Sequence, residues 1–273
     1  MLGMRILTAA IGIPVLLLLV RAGGWLLAAS LSLLGFIGWW EFCRLARAGG
    51  LKPWFWLGAL GVLSWPLAAY LYSRGCPGPL LGLNVWMLIA TAMGFIIYHP
   101  QRDLGDAAAT LWGQLYLGGL LSHAVLMREA SQGLFWVLLA LVVTWSYDTA
   151  GYFAGRAWGR RHPWPRISPR KTLEGTLAGL AASTLLGVLA LKLFPRWGGP
   201  LLPLGWSTAL CLGLGAAAQA GDLAESALKR WAGVKDSGAL IPGHGGVLDR
   251  FDSLLLVFPA VYYFWLGLAH RWC

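Results

Sequence analysis

Charge is what this sequence has least of. Asp, Glu, Lys and Arg make up 12% of its 273 residues, against about 25% in a soluble domain. A chain so poor in charge cannot face water on every side, which excludes an ordinary soluble enzyme. Carboxylates are scarcer still, eleven in all against 21 Lys and Arg. Cysteine is sparse: Cys43, Cys76, Cys211 and Cys273 are scattered without a CxxC pair. Neither a zinc site nor a disulfide framework is expected, and apolar filling is the plain reading. No internal repeat is evident. Basic residues are not interleaved with exposed aromatics in one patch, as a nucleic-acid reader requires, so no nucleic acid is expected as a partner despite the net charge of +10.

What the chain does have is apolar bulk: 58% hydrophobic residues, with 17 Trp. Trp gathers at membrane–water interfaces. A membrane-crossing helix needs about 20 mostly apolar residues. The apolar runs predict an all-α, polytopic integral membrane protein with about nine transmembrane helices, near 6–20, 25–42, 54–72, 80–98, 107–126, 133–153, 173–194, 201–220 and 254–269. Pro14 lies inside the first run, where neighbouring helices can accommodate a kink. No small-residue cleavage site follows that run, so it is read as a span and not a signal peptide. Residues 1–130 are expected to form a helical scaffold with dimer contacts, and 131–273 a catalytic region with a polar cavity on the cytoplasmic side.

Basic residues orient the spans. With a cytoplasmic N-terminus, fifteen of the 21 Lys and Arg fall on the cytoplasmic side and six on the other. The expected location is the bacterial cytoplasmic (inner) membrane. Topology alone would account for the Arg44–Lys52 group. It does not account for acids clustering beside the other basic loops.

Seven of the eleven carboxylates lie between residues 148 and 252: Asp148, Glu174, Asp222, Glu225, Asp236, Asp249 and Asp252. Acids inside or at the ends of spans are costly and mark function by default. Asp148, in "VVTWSYDTAGYFAGRAWGRR", reads either as a structural acid paired with a neighbouring Arg or as a ligand near the cytoplasmic face. Gly151 and Gly155 nearby permit close helix packing. In "RISPRKTLEG", Pro165 and Pro169 disfavour a helix through Ser168. Ser168, Arg170, Lys171 and Thr172 then precede a helix beginning near Leu173. Hydroxyls, cations and free amides at a helix N-terminus suit phosphate, although a Thr there is ordinarily just a cap.

In "QAGDLAESALKRWAGVKD", Asp222 and Glu225 share a helix face. Lys229 sits where it can pair with Glu225, but that leaves Asp222 unexplained. In "KDSGALIPGHGGVLDRFDS", Pro242 and the glycines rule out a regular helix and expose backbone amides, which can approach phosphate oxygens closely. Asp249 and Asp252 then open the last apolar run. The helix dipole favours acids there. Together with Asp222 and bound phosphates, they would also suit Mg²⁺, which takes one or two carboxylates plus phosphate oxygens.

The stretch "SALKRWAGVKDSGALIPGHGGVLDRFD", residues 226–252, meets every fixed position of the signature of the phosphatidate cytidylyltransferases (CDP-diacylglycerol synthases), and the chain resembles that family. The segments "DTAGYFAGRAWGRR", "ISPRKTLEG" and "QAGD" also resemble it. The first half offers little beyond length, hydropathy, a family-like "RILTA" and an acid at Glu41. The resemblance implies transfer of the cytidylyl group of CTP to phosphatidic acid, giving CDP-diacylglycerol and pyrophosphate. It implies Mg²⁺ as cofactor, with a second metal ion or K⁺ as a further candidate, and a homodimer among membrane lipids. It makes Asp222 and Asp249 metal ligands and Asp148 a further acid of the cavity. It assigns Lys171, Lys229, Arg230, Lys235 and Arg250 to the CTP and lipid phosphates. Ser168, Thr172 and His244 would line the same pocket, beside Gly245 and Gly246. The alternatives are a related CTP-using enzyme acting on another lipid phosphate or a polyprenol, and an ion-coupled transporter. A transporter should often show repeats and broken helices in both halves, whereas the polar cluster here lies in the second half alone.

Overall fold

A computed structural model describes residues 2–197, 201–238 and 245–269. The described chain is helical, with ten α-helices: α1 (Leu2–Ala22), α2 (Gly24–Ala48), α3 (Phe55–Ser73), α4 (Gly78–Tyr98), α5 (Leu104–Gln114), α6 (Leu120–Glu129), α7 (Gly133–Trp158), α8 (Leu173–Leu193), α9 (Leu204–Trp231) and α10 (Leu248–Ala269). A π turn, Leu115–Gly119, joins α5 to α6. Among the described residues, six helices are long and apolar enough to cross a membrane: α2, α3, α4, α7, α8 and the Leu248–Leu268 part of α10. Large apolar side chains face outward on them, among them Trp56, Trp86, Ile97 and Leu185. Only a hydrocarbon solvent satisfies such a surface without penalty, because helices leave no backbone group unpaired in it.

The chain divides into two compact units, the first comprising 1–130 and 228–251, the second 131–227 and 252–273. In the first unit, α2 buries Leu27, Leu31, Trp39, Phe42 and Ala46 along one stripe, the spacing of an amphipathic helix. Glycines set how closely α3 approaches it. A Cβ on Gly35 would lie 2.9 Å from Val62 Cγ1, and one on Gly58 would enter the Trp39 ring. Trp39 is fully buried, and its indole N–H donates to the Phe55 carbonyl at 2.8 Å. The π turn brings Gly118 against Trp65, where a Cβ would stand 2.8 Å from the ring. A single i→i+5 turn of this kind reorients the helix that continues beyond it.

α2 and α9 end in the same way. Gly50 has φ +91° and Gly233 has φ +70°. In each case two amides fold back onto the last turn: Gly50 to Arg47 and Leu51 to Ala46, and Gly233 to Arg230 and Val234 to Lys229. This is the Schellman arrangement, in which glycine adopts the left-handed conformation at little cost. Trp231 packs onto Gly49 so closely that a Cβ there would enter the indole. The end of α9, with Lys229 and Arg230, is thereby placed beside the end of α2.

In the second unit α7 and α8 pack backbone to backbone. A Cβ on Gly175 would lie 2.7 Å from the Gly151 carbonyl, and one on Gly179 would lie 2.9 Å from the Tyr147 carbonyl. This is the small-residue packing expected of Gly151 and Gly155. α9 joins them through Gly187, whose Cβ would lie 2.6 Å from Cys211 Sγ, and through a hydrogen bond from the buried Tyr147 hydroxyl to Gln219. Gly221 on α9 sits directly on the Asp252–Ser253 backbone of α10.

Candidate active site

In the first unit the signature residues converge on Asp249, one residue into α10. Its Oδ2 accepts hydrogen bonds from the Gly246 amide (2.8 Å), the Ser237 amide (3.2 Å) and the Ser237 hydroxyl (2.9 Å). Its Oδ1 faces the ammonium of Lys229 at 2.6 Å, and the two side chains are only 10% and 14% exposed. Charge-assisted contacts this short, withdrawn from water, are stronger than surface pairs. Gly245 has φ +80°, and a Cβ on it would lie 2.8 Å from Asp249 Oδ2. The turn therefore needs glycine both for conformation and for space. Behind it stands Glu41 of α2, fully buried, accepting from the Val247 amide (2.9 Å) and the Leu248 amide (2.8 Å).

In the second unit the Lys171 ammonium lies 2.7 Å from Asp222 Oδ2, the pair being 21% and 29% exposed. Ser226, one turn along α9, donates to Asp222 Oδ1 at 3.3 Å. Lys171 is held by the turn before α8. Its amide donates to the Ser168 carbonyl at 3.1 Å, and the Ser168 amide donates to Trp164 at 2.9 Å. Thr172 caps α8: its Oγ1 accepts from the Gly175 amide at 3.1 Å, and the side chain is buried. Glu174 closes the loop by accepting from the Arg160 and Arg161 amides at 3.0 and 3.2 Å. Each unit thus holds an aspartate paired with a lysine, each lysine being oriented by a turn at a helix end.

The sequence matches the profile described as the cytidylyltransferase family over residues 3–267. The chain belongs to the cytidylyltransferase family. It is 33% identical, over 95% of both chains, to a protein of Synechocystis sp. named phosphatidate cytidylyltransferase. It is 35% identical to proteins of the same name from Staphylococcus saprophyticus, over 93% of this chain and 95% of the relative, and from Brucella suis, over 95% and 92%.

Against that family background, the expected site residues fall as follows. Lys229, Gly245, Gly246 and Asp249 come together in the first unit, with Arg230, Lys235 and Arg250 exposed around them. Lys171, Thr172 and Asp222 come together in the second, with Ser168 partly exposed, Arg170 exposed, and Asp148 exposed on α7. Arg230 donates to the Val234 carbonyl at 3.1 Å. His244 lies outside the described residues. Ser237 and the contacts of Glu41 were not anticipated. Ser237 follows Lys235 and Asp236 within the signature, so its position was the one available signal.

Proposed function

We propose that this chain is a phosphatidate cytidylyltransferase acting at the cytoplasmic face of the membrane as a homodimer. It transfers the cytidylyl group of CTP to phosphatidic acid and releases pyrophosphate and CDP-diacylglycerol. The observation that carries the proposal is Asp249: its Oδ2 is filled by protein donors while its Oδ1, at the head of an apolar helix, faces a cation at 2.6 Å. Such a carboxylate suits a hard cation shared with phosphate oxygens.

Among the described residues no three His, Cys, Asp or Glu side chains form a cage for a metal. Mg²⁺ does not need one, since it takes one or two carboxylates and completes its shell with substrate phosphates and water. Asp249 and Asp222 are the carboxylates that would serve it, each paired with a lysine in its own unit. When bound it supplies charge neutralisation for the triphosphate and polarises the α-phosphoryl group.

The chain's own groups do the rest. Both substrates are anions, so repulsion is the first barrier. Lys171, Lys229, Arg230, Lys235 and Arg250 offset it by binding phosphate oxygens, with Ser168, Arg170 and the Gly245–Gly246 turn supplying neutral donors and a further cation. The family resemblance adds Asp148 and His244 as further candidate polar groups for the substrates. A phosphomonoester oxygen is already nucleophilic and attacks the α-phosphorus of CTP as the bond to pyrophosphate breaks, so positioning and electrostatics suffice. The acyl chains remain in the bilayer while the headgroup enters the pocket.

The direct test is pyrophosphate release by purified protein with CTP and Mg²⁺. Release is expected only when phosphatidate is added, with CDP-diacylglycerol as the co-product. Release with another lipid phosphate or a polyprenol, and none with phosphatidate, would assign the rival activity.

Orientation has its own test. His162 is exposed in the loop between α7 and α8, and among the described cysteines Cys43 and Cys211 are buried. In a variant with Cys76 and Cys273 changed to Ser, His162→Cys should resist an impermeant thiol reagent in intact cells and react once the membrane is opened. Reaction in intact cells would invert the topology and put the site on the wrong side for CTP.

A further inference from the structure

Glu41 is 0% exposed about two turns before the end of α2, a membrane-length helix. An acid in that position is costly and needs compensation. Its compensation comes from far along the chain. Oε1 accepts from the Val247 amide at 2.9 Å, and Oε2 accepts from the Leu248 amide at 2.8 Å, sequence separations of 206 and 207. The Ser237 hydroxyl lies 3.4 Å from Oε2 and 2.9 Å from Asp249 Oδ2. A hydroxyl has one proton, and it goes to the nearer oxygen, so Ser237 donates to Asp249 and only packs beside Glu41.

The first amides of a helix have no partner within it, and a local Ser, Thr, Asp or Asn ordinarily supplies one. Before α10 the chain reads Gly245, Gly246, Val247, none of which has a side-chain acceptor. Glu41 provides the missing acceptor from α2. The fit is close. A Cβ on Gly246 would lie 2.6 Å from both carboxylate oxygens, and one on Gly238 would lie 2.6 Å from Oε1. The turn before α10 is therefore held from two sides, Glu41 taking the amides of 247 and 248 and Asp249 taking those of 237 and 246. With Oδ2 of Asp249 fixed in this way, Oδ1 is left facing Lys229.

We propose that Glu41 is a positioning residue for the transfer reaction: it clamps the head of α10 and so sets where Asp249 and Arg250 present their charges. It acts through that turn and touches no substrate. The proposal rests on reading Asp249 as a residue of the active site.

The experiment compares wild type, Glu41→Gln and Glu41→Ala as full chains in detergent, by hydrogen exchange of the 245–251 segment and by turnover per folded molecule below all three melting temperatures. Glu41→Ala should raise exchange in that segment by about 10-fold or more, because local opening governs exchange. It should lower turnover by about 100-fold, as a displacement of about 1 Å can. Glu41→Gln keeps one acceptor oxygen and should fall between, and it serves as the test if the Ala variant fails to fold. Wild-type exchange in both variants would overturn the clamp. Faster exchange with turnover per folded molecule unchanged would overturn the positioning role and leave a structural contact. If wild-type protein itself releases no pyrophosphate, the functional reading fails, while the exchange measurement, which needs no catalysis, still decides whether Glu41 holds the turn.

Discussion

Asp249→Asn is expected to lower turnover by about 100-fold or more at ordinary Mg²⁺, the scale on which removal of one preorganised electrostatic contact acts. Asn has nearly the same shape, so packing is not the cause. What changes is that one oxygen becomes an NH₂ group. In the native arrangement one oxygen takes three protein donors and the other faces the Lys229 ammonium at 2.6 Å. Asn can satisfy only one of these sides, and it cannot attract a cation on the other. Breaking a largely buried pair also leaves Lys229 uncompensated, which can cost about 3–5 kcal/mol of stability. A loss of activity could then be mistaken for a loss of fold.

The double variant Asp249→Asn/Lys229→Met separates the two effects. Removing both charges should return the melting temperature most of the way to wild type, because the uncompensated charge is gone. Turnover should stay at the level of the single variant. Recovery of both together would make the pair a structural feature only. Near-normal turnover in folded Asp249→Asn would sink the assignment of this residue to the metal and phosphate chemistry.

The parts of this molecule that were legible in the sequence are those governed by local rules. Apolar runs marked the membrane-length helices, and the start of α8 at Leu173 followed from Pro165, Pro169 and a capping Thr172. The close packing of α7 on α8 was readable from Gly151 and Gly155. The signature from residue 226 to 252 pointed to the cytidylyltransferase family that the profile match then established. Nine runs were expected, and among the described residues six helices meet the length and apolarity of a span. Two of the remaining three runs fall short for local reasons. α9 is 28 residues long, but its uncharged part, residues 204–221, is interrupted by Gly205, Trp206, Ser207, Thr208, Gly213, Gly215 and Gln219, and charged residues lie in the rest. The run at 107–126 is divided by the π turn at Leu115–Gly119, and nothing in "LYLGG" distinguishes a π turn from continued α-helix.

The role of Glu41 was illegible for a different reason. A buried acid in a span raises the question of a partner, but sequence spacing cannot name one 206 residues away. Lys229 is a similar case. A sequence reading offers it Glu225, four residues before it on the same helix, whereas folding brings it to Asp249.

Gly246→Val should cut turnover by about 100-fold or more, since displacing a site by about 1 Å is enough, and the structure indicates which way the displacement goes. The position a Cβ would take at Gly246 is filled by the Ser237 hydroxyl and lies 2.6 Å from both oxygens of Glu41. The missing side chain therefore leaves room for the protein's own carboxylate clamp, and a larger residue must push the turn off Glu41. The Gly246 amide would move with it, and with that amide one of the donors that fix Asp249 Oδ2. Gly245→Val should fail as well, through a separate cause: its φ of +80° is costly for a residue with a Cβ. Gly119→Ala is the control. Its Cβ would have neighbours no nearer than 3.8 Å, an ordinary contact, so activity per folded molecule should be nearly unchanged. Relief of the crowding distinguishes steric displacement from any contact of Gly246 with phosphate. If the clash with Ser237 and Glu41 is the cause, then among Glu41→Ala/Ser237→Ala proteins Gly246→Ala should cost much less than it does in wild type. An equal loss in both backgrounds would mean that the glycine serves the bound phosphates directly and that its fit against Glu41 is incidental.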